Sequence, residues 1–91
     1  MASVIITFKI MPISPEVDLS AIESKAKEAI SAFGGEVGKV EIEPVAFGLK
    51  ALNLIFVMDE AKGSTEELEE QISQIEDVNS VECTDVRRAV G

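Results

Sequence analysis

The chain opens on an alternating pattern. In SVIITFKIM, Val4, Ile6, Phe8 and Ile10 share one face while Thr7 and Lys9 take the other, the period-two signature of a half-buried strand. PISPEVD ends it, because Pro12 and Pro15 cannot donate to a sheet ladder and hold the backbone extended. The period then changes. Asp18 stands at a helix cap position, and Leu19, Ile22, Ala26, Ile30 and Phe33 follow at spacings of three and four. Gly34-Gly35 predicts the helix end, since glycine takes the left-handed cap conformation without penalty.

EVGKVEIEPV returns to alternation, with Val40 and Ile42 inward and Lys39, Glu41 and Glu43 outward. Pro44 would break a central ladder, so this run is expected at a sheet edge. In LKALNLIFVM, Leu52, Leu54, Phe56 and Met58 share a face, and the other face carries Ala51, Asn53, Ile55 and Val57. Such a strand belongs in the middle of the sheet. GSTEE predicts a capping box between Ser64 and Glu67, with Glu66, Glu67 and Glu69 near the positive end of the helix dipole. Leu68, Ile72 and Ile75 are the stripe of this second helix. NSVECTDVRR reads as a last strand with Val81 and Cys83 on one face; Val86 falls out of phase, so a bulge or fraying is expected near Asp85.

The order strand, helix, strand, strand, helix, strand interleaves two right-handed βαβ units. The expected fold is an α+β, ferredoxin-like βαββαβ sandwich. Its four-stranded antiparallel sheet runs in order 4-1-3-2, with both helices on one face. That arrangement places the Pro44 strand on an edge and the apolar third strand inside. Residues 1–91 are expected to form one domain, a length that admits a single modest core.

Composition narrows the chemistry. Apolar residues make up 46% of the chain, enough for a core without staples, and a lone Cys83 excludes an internal disulfide. Net charge is −9, which works against phosphate backbones and anionic membranes and favours a basic protein surface as partner. No nucleic acid or membrane partner is expected. There is no histidine, so the commonest general base and transition-metal ligand is missing. RNA-binding relatives of this fold stack bases on aromatics, whereas the solvent side of the first strand carries Ile5, Thr7 and Lys9. No GxxxxGK[ST] run occurs. Acidic pairs such as Glu69-Glu70 and Asp59-Glu60 read as solvated faces. No catalytic residue, metal or cofactor is assigned, and the protein is not expected to be an enzyme. No apolar run approaches a membrane span and no charged segment precedes an apolar one, so a cytoplasmic location is expected.

One stretch stands apart. EPVAFGLKALN sets Phe47 between Ala46 and Gly48 at the tip of a turn joining two strands. Loops are normally polar because their backbone stays solvated. Phe47 therefore either folds back onto the core or is kept for another molecule.

The chain as a whole resembles the archaeal translation elongation factor 1-beta family. The matching segments are FKIMPISPEVDL, EPVAFGLKALNL, GSTEELEEQI and VECTDVRR, in order and without large gaps. The central segment is the most specific of them. The resemblance implies a ferredoxin-like guanine-nucleotide exchange factor that promotes replacement of GDP by GTP on elongation factor 1-alpha, the expected partner. In eukaryotic relatives an aromatic in the corresponding turn enters a pocket on the second domain of the GTPase; the matching residue is Phe47, with Ala46 and Gly48 flanking it. Those relatives also carry a lysine near the C-terminus that reaches toward the Mg²⁺ site of the GTPase. Aligned on TDV, this chain has Gly91 there, leaving Arg87 and Arg88 as the nearby cations. A monomer is expected when free. The alternative is a small-ligand-binding regulatory module of the same fold, which would dimerise around its ligand.

Overall fold

The computed structural model describes residues 3–62 and 65–89. Strand β1 (Ser3–Pro12) leads into helix α1 (Leu19–Phe33), strands β2 (Glu36–Pro44) and β3 (Lys50–Asp59), helix α2 (Glu66–Ser73) and strand β4 (Val78–Ala89). The sheet runs β2-β3-β1-β4 and every neighbouring pair is antiparallel. This is the expected ferredoxin-like order. α1 packs on β2 and β3, α2 packs on β4, and the two helices touch each other.

The core lies between the sheet and the helices. Ile6, Phe8 and Ile10 of β1 and Leu52, Leu54, Phe56 and Met58 of β3 meet Ile22, Ala26 and Ile30 of α1 and Leu68 and Ile72 of α2, all 2% exposed or less. Each buried side chain of this size contributes about 1.5–3 kcal/mol through removal from water. Phe8 and Phe56 pair edge to face, with ring centroids 5.0 Å apart and planes at 77°. Ala51 is fully buried although it alternates with the core residues of β3.

Local chemistry explains the element ends. Ser20 donates its backbone N–H to Asp18 Oδ1 at 3.0 Å, capping α1. At the other end Gly34 sits at φ 103° and its N–H bonds back to Ser31, while Gly35 N–H reaches Ile30 C=O at 2.8 Å. α2 starts one residue later than the capping-box reading requires. Thr65 takes the cap position with no side-chain cap bond, and Ser64 lies outside the described residues. β4 changes register between Thr7 and Phe8, whose partners are Asp85 and Cys83. Thr84 is the extra residue, and it brings Val86 back into phase opposite Ile6, so the bulge lies where the broken alternation places it. One inward assignment is corrected: Ile42 pairs with Leu52 but is 55% exposed, because the core does not extend to that end of the edge strand.

Candidate functional site

The β2–β3 hairpin closes through Val45 N–H to Leu49 C=O at 2.8 Å and Leu49 N–H to Ala46 C=O at 3.2 Å. Between them, Ala46–Gly48 form a single 3₁₀-type turn in which Phe47 has φ 61°, ψ 32° and Gly48 has φ 76°. Two successive left-handed residues match the twist of antiparallel strands, which is why Asn-Gly and Asp-Gly dominate such turns. Gly48 satisfies the requirement; a Cβ there would meet open space, so glycine serves the backbone angle rather than packing. Phe47 does not satisfy it. A bulky residue in the left-handed region costs roughly 1–2 kcal/mol. Among the described residues the other non-glycine at positive φ is Asp77, a type that adopts this region readily.

The ring gains nothing on its own chain in return, because Phe47 is 95% exposed. Of the two readings open to the sequence, folding onto the core is therefore removed. Two more apolar side chains are exposed nearby in the fold. Ile13 and Ile42, both more than half exposed, lie toward the same end of the sheet, since Pro12, Pro44, Lys50 and Val78 all border it. Strain and exposure at one residue mark a functional position better than either alone.

Arg87 and Arg88 lie at the far end. Ser3 pairs with both Asp59 and Ala89, so the close of β4 is a full strand length from the hairpin, in a molecule 42 Å long. The two arginines also diverge. Arg87 pairs with Ile5 on the open face of the sheet, and Arg88 with Val4, which packs on the core side. Neither cation stands unpaired: Arg87 Nε contacts Asp85 Oδ2 at 2.9 Å, and Arg88 grips both carboxylate oxygens of Glu60, with Nε to Oε2 at 3.3 Å. Both pairs are solvent-exposed, so each is worth only about 0–1 kcal/mol and can be exchanged for a partner's groups.

A third feature, which alternation along the chain does not announce, is a groove of about 370 Å³ where Pro12, Val17, Leu19 and Ile42 converge beside the α1 cap. The sequence carries no signal for it beyond the PISP loop, because its walls come from three segments brought together only by folding. Asp18, at its rim, has its carboxyl held below the usual range by the Ser20 hydroxyl and then the Ser20 N–H. Burial and then the negative charge of Glu69 push the Cys83 thiol up, which lowers its reactivity at neutral pH. Among the described residues no cluster of three or more Cys, Asp or Glu is placed to hold a metal ion, and no helix is long and apolar enough to cross a membrane.

Comparison with known proteins gives the arrangement a context. Residues 5–89 match the family model described as the EF-1 guanine nucleotide exchange domain. The chain is 50% identical over 88 residues to elongation factor 1-beta of Methanobrevibacter smithii, covering 97% of this chain and 98% of that protein. It is 49% identical, with the same coverage, to elongation factor 1-beta of Methanothermobacter thermautotrophicus. Among solved structures, the C-terminal domain of the MgtC protein from Mycobacterium tuberculosis aligns at TM-score 0.63 and 15% identity, covering 98% of this chain and 87% of that one. At that identity the likeness concerns the fold alone.

Proposed function

The chain belongs to the EF-1 guanine nucleotide exchange domain family, and from that premise we propose that it accelerates GDP release from elongation factor 1-alpha by docking Phe47 into the GTPase. The observation that carries the reading is an aromatic ring 95% exposed on a backbone held at φ 61°. A ring that costs its own fold energy and covers none of its own core is suited to a pocket elsewhere. Aromatic anchors of this kind dominate interface energetics.

Exchange needs no bond-making by this chain. A factor that binds the nucleotide-free GTPase more tightly than the GDP-bound form weakens nucleotide binding by the same ratio. With the hairpin as one contact, the domain acts as a rigid spacer whose other end reaches the nucleotide-binding part of the GTPase. Arg87 is the better candidate for that second contact. It lies on the uncovered sheet face and its partner Asp85 is on its own strand, whereas Arg88 ties β4 to the turn after β3. The net charge of −9 supports a basic partner surface and a monomer when free.

The test is release of labelled GDP from the GTPase with wild type, Phe47→Ala, Arg87→Ala and Arg88→Ala. Phe47→Ala is expected to weaken complex formation with its thermal stability preserved. Arg87→Ala should slow release more than it weakens binding, and Arg88→Ala should change release less. Unchanged release with Phe47→Ala removes the ring from the mechanism.

A further inference from the structure

The groove at the hairpin end of the sheet has a shape and charge of its own. Val17, Leu19 and Ile42 supply apolar walls over Pro12, which is buried. The α1 side of the rim carries two carboxylates, Asp18 and Glu23, and the opposite wall carries Lys50. At about 370 Å³ it falls at the small end of the ligand-pocket range of about 300–1,000 Å³, room for one or two side chains rather than a cofactor. The β2–β3 hairpin that holds out Phe47 also contributes Ile42 and Lys50, so the ring and the groove belong to the same end of the sheet.

We propose that the groove receives a lysine or arginine side chain from the same GTPase surface that takes Phe47, with its methylene stem on Val17, Leu19 and Ile42 and its cation beside Asp18 and Glu23. The inference rests on the reading of Phe47 as a partner anchor. A long cationic side chain is the natural occupant because it is apolar along its stem and charged at its tip, matching walls and rim in that order. The carboxylates are available. Ser20 orients Asp18 through its N–H and hydroxyl, at 3.0 and 2.6 Å, while the Glu23–Lys27 pair at 3.0 Å is an exposed i,i+4 contact that exchanges at little cost.

Other occupants fit less well. An anion at the α1 N-terminus meets the Asp18 carboxylate already there. A second copy brings another −9, and its groove sets only Lys50 against two carboxylates, so the two faces stay net repulsive. The arrangement gives the interface two anchors of opposite direction: the ring leaves this chain, and the partner's cation enters it.

Binding to the nucleotide-free GTPase tests the proposal. Asp18→Asn with Glu23→Gln removes both charges, and asparagine caps a helix as well as aspartate does. This double variant is expected to raise Kd about three- to tenfold at 0.1 M salt. At 1 M salt, where the Debye length falls from about 10 Å to about 3 Å, most of the difference should disappear. Ile42→Lys, at a half-exposed position the fold tolerates, should raise Kd about tenfold or more by placing a like charge in the groove. If both groove variants bind as wild type does while Phe47→Ala is weakened, this proposal falls and the anchor reading survives. If the groove variants weaken and Phe47→Ala does not, the cation site stands and the anchor reading falls. An effect of the double variant that is indifferent to salt overturns the cationic occupant. Wild-type self-association abolished by Ile42→Lys assigns the groove to a second copy and overturns the proposal.

Discussion

Replacing Phe47 by asparagine should make the protein more stable and less able to bind. The left-handed conformation at φ 61° costs a phenylalanine roughly 1–2 kcal/mol, most of which asparagine avoids. Against that gain stands whatever the ring buries at home. A phenylalanine side chain has about 200 Å² to cover, and at 95% exposure only about a twentieth of it is hidden. At about 25 cal/mol per Å² that burial is worth about 0.3 kcal/mol. The net change is a stabilisation of about 1 kcal/mol, which for a domain of this length raises Tm by about 4–8 °C. Binding moves the other way. Loss of a central aromatic anchor costs about 2 kcal/mol or more, about a thirtyfold weakening. Thermal unfolding followed by circular dichroism, paired with titration against the nucleotide-free GTPase, reads both quantities on one preparation. A Phe47→Asn variant that melts earlier than wild type would refute the strain argument, since the ring would then be supporting the fold. A variant that melts later yet binds unchanged would leave the ring without a role.

Four further outcomes follow from other parts of the molecule. A Cβ at Gly35 would lie 2.8 Å from Ile30 Cγ2 and 3.2 Å from Phe56 Cδ2, so Gly35→Ala should cost about 1–3 kcal/mol in urea unfolding. Gly38→Ala meets only the Ile55 carbonyl at 3.9 Å and should stay within about 0.5 kcal/mol of wild type. Cys83 should react with a thiol reagent at pH 8 more slowly than a peptide thiol, with its rate still rising above pH 9, because burial and Glu69 raise its pKa; a reaction that levels off below pH 9 contradicts this. The Asp18 carboxyl should titrate below 3.8 by NMR. Its folded-state pKa is depressed, so its cap contribution is complete above the unfolded value and disappears as pH falls through the folded one; Asp18→Asn should remove that acid-side change at the start of α1.

The periodicity of the chain was enough to determine its elements, their order and the sheet. Alternation in β1 and β3, the three-four spacing of α1 and the proline at the end of β2 each constrain a local conformation. The strand order follows from interleaving two right-handed βαβ units, which sets the Pro44 strand at an edge and the apolar β3 inside. Even the bulge at Thr84 is legible, as a broken alternation before Val86. The capping box was the weaker inference, because Ser64 and Thr65 offer equivalent hydroxyls to the same helix start and sequence does not choose between them. Other features belong to tertiary structure alone. That Phe47 points away from its own core depends on the left-handed backbone the turn imposes, which residue type would argue against. Neighbours on a strand always face opposite ways, but that Arg87 takes the open face and Arg88 the core side depends on how the bulge resets the phase of β4. The groove depends on the PISP loop, the α1 cap and the edge hairpin meeting in space. Period and propensity act over a few residues and can be read in order along a chain. Exposure, ion pairing and concavity arise between segments far apart in sequence, and only the folded geometry sets them.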